Sequence, residues 1–338
     1  MKNEKRLIAL ILAVLMMGFT IAGYAQAKAA ESQPAVHADA HDSKSVVFGE
    51  SETTRVRNLS YVEPAEEEII LIDFSALPVP LSAGSATFTI PVPRNPGTLT
   101  KSNSKATIDY SNSAEGYIMV GFASRTTKEL RVLITGPSGT QYQYTLKKDG
   151  TFEVYPLTDG NGKYTVGVFE QVDGNRFATA VSGTIDVKLT NEFAPFIGPN
   201  QYINFNKDSK VVAKAAELTK DTAQLRDRVS AIYDFVIKNI SYDKELAANV
   251  KSGYLPDVDA VMARGKGICF DYAALMTAML RSLNIPTRLV VGYAGTAYHA
   301  WIDVYSEEEG WINNIIFFDG KNWNLMDPTF ASSGNQSA

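Results

Sequence analysis

The stretch Gly265-Lys-Gly-Ile-Cys269-Phe-Asp-Tyr-Ala-Ala274 contains the only cysteine of this 338-residue chain. Two glycines precede the thiol, and an apolar pattern with helical spacing follows it as far as Leu283. The sequence Asn284-Ile-Pro286 then ends that pattern. We therefore expect Cys269 at the N-terminus of a buried helix, where free backbone N–H groups and the positive end of the helix dipole favour a thiolate.

A lone cysteine cannot form an intramolecular disulfide, so Cys269 is either a buried core residue or a group kept for chemistry. His299 is the only histidine outside the N-terminal region. One thiol at a helix start and one imidazole are the minimal equipment for nucleophilic acyl transfer, and an adjacent imidazolium would lower the pKa of the thiol further.

Two carboxylates are candidates for orienting the imidazole. His299 opens the predicted strand 299–305, on the same face as Trp301 and Asp303. Residues i and i+4 of a strand lie about 13 Å apart, so direct contact between Asp303 and His299 is disfavoured. We favour Asp327, in the predicted strand 323–329, as the acceptor for the second ring nitrogen.

Four motifs in this order resemble the bacterial transglutaminase-like domains. They are Gly267-Ile-Cys269-Phe-Asp-Tyr-Ala273, Leu283-Asn-Ile-Pro-Thr-Arg-Leu-Val-Val-Gly-Tyr293, His299-Ala-Trp301 and Met326-Asp327-Pro-Thr329. The resemblance covers about residues 206–331 and implies a papain-like α+β fold. It also implies that Cys269 is the nucleophile, His299 the general base and acid, and Asp327 the orienting carboxylate.

Three further residues match positions of the family pattern. Asp271 lies in the first turn of the predicted helix, where a carboxylate is favoured as a stabiliser of the helix start over a catalytic group. Tyr242 and Trp301 are favoured as core or as walls of the site. The second donor to the oxyanion is not identifiable from the sequence. We predict no cofactor and no metal, because Cys269 and His299 are the only soft ligands in the predicted folded region.

Residues 65–192 have the composition of an all-β domain. Short stretches rich in β-branched and aromatic residues are separated by turn signals and uninterrupted by a helical pattern. The predicted strands are 68–74, 86–90, 117–122, 130–134, 142–146, 151–155, 164–169 and 184–189. They predict an Ig-like β-sandwich. Within it, Asp159-Gly-Asn-Gly162 is favoured as a hairpin turn over a calcium site.

The N-terminus predicts export. Basic residues precede the apolar run 7–22, and Ala25-Gln-Ala27 supplies a cleavage site, so residues 1–27 read as a signal peptide and a retained membrane anchor is disfavoured. Residues 28–64 are polar and predict a disordered linker, in which His37 and His41 are favoured as solvated side chains over metal ligands. No membrane span is expected after cleavage.

The net charge of −5 and the lack of a dense basic stretch argue against a nucleic-acid partner. Together these patterns predict a secreted protein with an Ig-like sandwich followed by a transglutaminase-like catalytic domain over residues 193–338. The predicted function is cysteine-dependent amide hydrolysis or protein cross-linking through a thioester, on peptide or protein substrates at the cell envelope. The alternative is a catalytically silent binding or scaffold protein of the cell surface.

Overall fold

The computed structural model describes residues 45–47, 89–222, 224–294, 297–318 and 323–325. The predicted signal peptide, the predicted strand 68–74 and Asp327 lie outside these ranges. The described residues all belong to one compact unit of the chain, which begins at Lys44.

The first part of the described chain forms two antiparallel sheets. One has the strand order β1-β9-β8-β5-β6 and the other the order β2-β3-β4-β7. The strands are β1 (Ser45–Val47), β2 (Thr100–Ser102), β3 (Ala106–Asp109), β4 (Tyr117–Phe122), β5 (Leu130–Thr135), β6 (Gln141–Thr145), β7 (Glu153–Pro156), β8 (Gly162–Asp173) and β9 (Arg176–Val187).

Alternating apolar residues join the two sheets in one core. In β5, Leu130, Val132 and Ile134 are buried while their neighbours are partly exposed. They share a hydrophobic cluster with Ile118 and Val120 of β4. All six predicted strands between 117 and 189 overlap observed strands. The Ig-like assignment itself stays a prediction, because its first predicted strand and most of its second lie outside the described residues.

Besides β2 and β3, which no predicted strand covers, two features of these sheets depart from the sequence prediction. The first is β1, which pairs with β9 although its three residues fall within the predicted linker 28–64. The second is the turn at 159–162, which connects β7 of one sheet to β8 of the other and is therefore not a hairpin. Its Asp159 carboxylate accepts hydrogen bonds from the backbone N–H and the hydroxyl of Ser138, at 2.8 and 2.7 Å.

The C-terminal part is a mixed α/β structure, as predicted. Its helices are α1 (Lys210–Thr219), α2 (Leu225–Asn239), α3 (Lys244–Asn249), α4 (Val258–Arg264) and α5 (Cys269–Ser282). An antiparallel sheet in the order β12-β13-β14-β15 contains β12 (Thr287–Ala294), β13 (Ala297–Ser306), β14 (Gly310–Phe318) and β15 (Trp323–Leu325). Two short parallel strands, β10 (Ser241–Tyr242) and β11 (Lys266–Gly267), form a separate sheet in the same part of the chain.

Helix α5 is the centre of this part. It packs against β12 and β13 and also contacts α1, α2 and α4. Every residue from Asp271 to Ser282 is buried, which explains why its sequence is apolar on more than one face. None of the helices in the ranges given above is long and apolar enough to cross a membrane.

A buried arginine fixes the far end of α5. Arg281 is 1% exposed, and its Nε and Nη2 donate to the carbonyl oxygen of Thr287 at 3.0 and 2.8 Å. Its Nη1 donates to the carbonyl oxygen of Gly198 at 2.6 Å. Burial lowers the pKa of this guanidinium to about 9. The three bonds tie α5 to the start of β12 and to the segment that follows the two sheets.

Candidate active site

The loop that leads into Cys269 is fixed by its own backbone. Ser241 donates its N–H to the carbonyl of Gly265 at 2.9 Å, and Asp243 donates to the carbonyl of Gly267 at 2.8 Å. Gly265 ends α4 with φ of +62°, a left-handed conformation that glycine adopts without strain. The parallel pairing of β10 with β11 thus fixes the backbone of residues 266–267, immediately before the start of α5.

Asp271 holds the first turn of α5. Its carboxylate is fully buried and accepts from the backbone N–H of Ile268 at 2.9 Å. The Tyr254 hydroxyl donates to it at 2.7 Å and Nη2 of Arg264 at 3.2 Å. This environment confirms the prediction that Asp271 stabilises the helix start. Gly267 is required beside it, because a Cβ there would lie 2.6 Å from the Asp271 Cβ.

Tyr254 and Arg264 were not identified as site residues from the sequence. Tyr254 lies 17 positions before Asp271 in an irregular segment, and Arg264 lies at the end of α4. No spacing rule relates such positions to a helix start. Only the folded chain brings both donors to the Asp271 carboxylate.

Cys269 is the first residue of α5 and is partly buried. Burial raises the pKa of its thiol, and the nearby negative charge of Asp271 acts in the same direction. The backbone N–H groups of Ala300, Phe270 and Cys269 itself lower that pKa but do not outweigh burial. The N–H groups at the helix start therefore favour the thiolate, as the sequence predicts, but burial outweighs them and the pKa of the thiol is raised overall.

The Ala300 contact places β13 against the thiol. The N–H of Ala300 lies within hydrogen-bonding reach of the Cys269 sulfur, and Ala300 directly follows His299 in β13. The backbone of His299 pairs with Gly292 of β12. The structure thus brings the backbone of the predicted base to the predicted nucleophile, whereas Asp327 lies outside the described residues.

Asp303, the rival orienting residue, is buried in β13 at a shift of register between β13 and β14. Its backbone is paired with Arg288 of β12, and its negative charge opposes the lowering of the Arg288 pKa by burial. Asp303 therefore interacts electrostatically with the cation on the neighbouring strand.

Tyr242 and Trp301 are the remaining residues of the family pattern. Tyr242 is paired with Gly267, two residues before Cys269. Burial and the charge of Cys269 both raise the pKa of its phenol, so the two side chains are close. Trp301 is only 8% exposed. These environments agree with the prediction that both residues are core or walls of the site, with Tyr242 beside the thiol and Trp301 in the core.

Comparison with known proteins gives a family match in the C-terminal part of the chain. Residues 212–314 match the model of the transglutaminase-like superfamily. The matched segment includes Cys269 and His299 and ends before Asp327. The uncharacterized protein YebA of Bacillus subtilis strain 168 is 29% identical over 123 residues, which are 30% of this chain and 17% of YebA. The chain thus spans less than a fifth of that relative.

Two solved structures resemble the chain more distantly. A candidate cysteine protease from Cytophaga hutchinsonii has a TM-score of 0.33 and 19% identity, covering 65% of this chain and 73% of that one. The periplasmic domain of TgpA from Pseudomonas aeruginosa has a TM-score of 0.30 and 16% identity, covering 62% and 94%. On the family match, the C-terminal part of this protein contains a transglutaminase-like domain over residues 212–314.

Proposed function

We propose that this protein is a secreted cysteine-dependent acyl-transfer enzyme acting on peptide or protein amides at the cell envelope. Cys269 is its nucleophile, His299 its general base and acid, and Asp327 the carboxylate that orients the imidazole. The observation that carries the proposal is the contact between the Cys269 sulfur and the N–H of Ala300, the residue next to His299.

The proposed reaction begins from a Cys269 thiol that its buried surroundings keep protonated. Because burial disfavours the thiolate, a base must take the proton as the sulfur attacks the amide carbonyl carbon. The C–N bond then breaks, the amine leaves with the proton from His299, and a thioester remains on Cys269. Water or a primary amine then attacks the thioester carbon and gives a proton to His299. The C–S bond breaks, and His299 returns that proton to the leaving sulfur, which restores the thiol.

Backbone N–H groups supply the electrostatic part of the mechanism. We expect the N–H groups in the first turn of α5 to hold the tetrahedral oxyanion, because the first N–H groups of a helix have no acceptor within it. They are preorganised, because Asp271 and the pairing of β10 with β11 fix the loop before the helix. Such donors contribute about 3 kcal/mol to transition-state stabilisation in comparable sites.

Export and the Ig-like domain complete the proposal. The basic and apolar residues at 1–27 support secretion, and the two antiparallel sheets support a sandwich that holds the catalytic domain near its target. Peptide amides are the proposed substrates because the mechanism needs a carbonyl with an amine leaving group. The acidic net charge supports a partner other than nucleic acid.

Alkylation of the thiol tests whether the site is activated. We expect iodoacetamide to label Cys269 at neutral pH at least about tenfold faster in the wild type than in His299→Ala. His41→Ala is the matched control, because it removes a histidine from the predicted linker and should label like the wild type. Equal and slow labelling in all three chains would overturn the proposed enzymatic function and favour the alternative, a catalytically silent binding or scaffold protein.

A second experiment identifies the acceptor. A glutamine-containing peptide is incubated with the protein, with and without a primary amine, and the products are weighed by mass spectrometry. A deamidated or cleaved peptide indicates water as the acceptor, and an amine adduct indicates a cross-linking transferase. Each product must be absent with Cys269→Ala.

A further inference from the structure

A stack of aromatic rings runs from the core of the two sheets to the residue beside the thiol. Tyr144 of β6 packs edge-on against Tyr155 of β7, with ring centroids 5.0 Å apart. Tyr202 stacks on Tyr144 at 5.6 Å and 27°, and its ring contacts Phe270 at 5.5 Å. Phe270 directly follows Cys269 in α5. The stack therefore connects a rigid β core with the first turn of the catalytic helix.

Hydrogen bonds lock the same junction. The Gln201 amide donates from Nε2 to the carbonyl oxygen of Thr145 at 2.9 Å and to the Glu153 carboxylate at 3.2 Å. The Tyr155 hydroxyl donates to the same Thr145 carbonyl at 2.7 Å. Gln201 is 9% exposed and Glu153 is 7% exposed, so these bonds are shielded from water.

The sheets also contact the segment that holds Asp271. A Cβ added at Gly253 would lie 3.3 Å from the Thr145 methyl group, so the end of β6 closes directly over this backbone. The next residue, Tyr254, donates its hydroxyl to Asp271. The end of β6 thus reaches the start of α5 by two routes, through the rings of Tyr202 and Phe270 and through the segment at 253–254.

We propose that the two-sheet part is a fixed component of the catalytic unit, and that Tyr202 and Gln201 are positioning residues for the start of α5. The inference rests on the proposed function, because it concerns the same thiol. Tyr202 holds the Phe270 ring over the core, and Gln201 holds the Tyr202 backbone against the end of β6. Together they set the burial of Cys269 and the direction of the N–H groups around its sulfur.

This arrangement has a chemical consequence that a purely structural role lacks. Burial is the main cause that raises the pKa of the Cys269 thiol. Removing the Tyr202 ring opens the space beside Phe270 and admits water, which lowers the thiol pKa. Loss of the fixed N–H groups acts in the opposite direction, but burial is the larger effect, so the thiol pKa should fall overall. The pH profile of thiol reactivity therefore reports positioning separately from stability.

The test measures iodoacetamide alkylation of Cys269 against pH in the full chain, under conditions in which each variant is folded. We expect Tyr202→Ala to move the half-maximal pH down by about half a unit or more and to reduce amide turnover about tenfold or more. Tyr202→Phe keeps the ring and should match the wild type. Val168→Ala, which truncates a fully buried side chain of β8, should lower the unfolding midpoint without moving the profile.

Gln201→Met provides a second route if Tyr202→Ala does not fold, because it keeps the side-chain volume and removes the bonds to Thr145 and Glu153. We expect a shift in the same direction and of smaller size. A wild-type profile in Tyr202→Ala or, failing that variant, in Gln201→Met would overturn the proposal. Alkylation of Cys269 does not require substrate turnover. An alkylation rate that is slow and equal in the wild type and His299→Ala would therefore reject the proposed enzymatic function. The comparison of Tyr202→Ala with Tyr202→Phe would still test whether Tyr202 positions the start of α5.

Discussion

The backbone N–H of Ala300 lies within hydrogen-bonding reach of the Cys269 sulfur, and this contact joins the start of α5 to β13. It matters for function because Ala300 follows His299, so the strand that carries the predicted base abuts the predicted nucleophile. The same contact lowers the pKa of a thiol that burial raises. The reactivity of Cys269 is therefore decided by opposing effects that can be separated by mutation.

The first prediction concerns the pH dependence of the thiol. In His299→Ala, the burial of Cys269 and the charge of Asp271 outweigh the backbone N–H groups, so half-maximal alkylation should lie above the ordinary cysteine pKa of about 8.5. In the wild type the imidazolium favours the thiolate, so the half-maximal pH should be lower. Rates of iodoacetamide alkylation between pH 5 and 10, about the range in which thiols and imidazoles titrate, measure both values. A half-maximal pH in His299→Ala below that of free cysteine would contradict this.

The second prediction concerns the buried carboxylate of Asp271. Asp271→Ala leaves the Ile268 N–H and the Tyr254 hydroxyl without their acceptor and should lower the free energy of unfolding by about 3 kcal/mol. Tyr254→Phe removes one donor and should cost about 1.5 kcal/mol. Urea denaturation measures both.

Asp234→Ala is the control for this comparison, because it breaks an exposed ion pair with Lys238 and should cost no more than about 0.5 kcal/mol. If Asp271→Ala were as mild as Asp234→Ala, the Asp271 carboxylate would not be what holds the first turn of α5.

The third prediction concerns the space at Gly267. Gly267→Ala places a methyl group 2.6 Å from the Asp271 Cβ, so the loop before Cys269 must move. We expect a loss of about 1–3 kcal/mol in unfolding free energy together with slower alkylation of Cys269. Gly198→Ala is the matched control, since its Cβ would meet only the Pro91 Cβ, at 3.9 Å. Similar behaviour of the two variants would show that the close approach at Gly267 is not needed.

The fourth prediction concerns stability at alkaline pH. Burial, and secondarily the charge of Asp234, raise the pKa of Tyr233 to about 12, against about 10 in an unfolded chain. The folded state therefore favours the neutral phenol, and its contribution to stability is complete below pH 10 and is lost as the pH rises towards 12. Tyr233→Phe should lose less unfolding free energy than the wild type between pH 8 and about 11. Guanidinium denaturation at both values measures this, and an equal loss in both chains would refute it.

Local features of this protein were predictable from its sequence because their causes are local. The helix that begins at Cys269 follows from apolar spacing and from the glycines before it, and the strand at 299–305 follows from its alternation. The six predicted strands that overlap observed ones have the same origin. The stabilising role of Asp271 was also predictable, since a first-turn carboxylate interacts with the N–H groups of its own helix.

Contacts between distant segments were not predictable in this way. The pairing of β1 with β9, the donation from Tyr254 to Asp271 and the contact of Tyr202 with Phe270 join residues that no periodic pattern relates. The pKa of Cys269 was likewise not predictable from the sequence, because desolvation depends on every segment that packs around the sulfur. The sequence by itself determined the candidate residues for the chemistry and the secondary structure that carries them. Tertiary packing decided how deeply the thiol is buried and which backbone groups surround it, because burial and charge act through space and not along the chain.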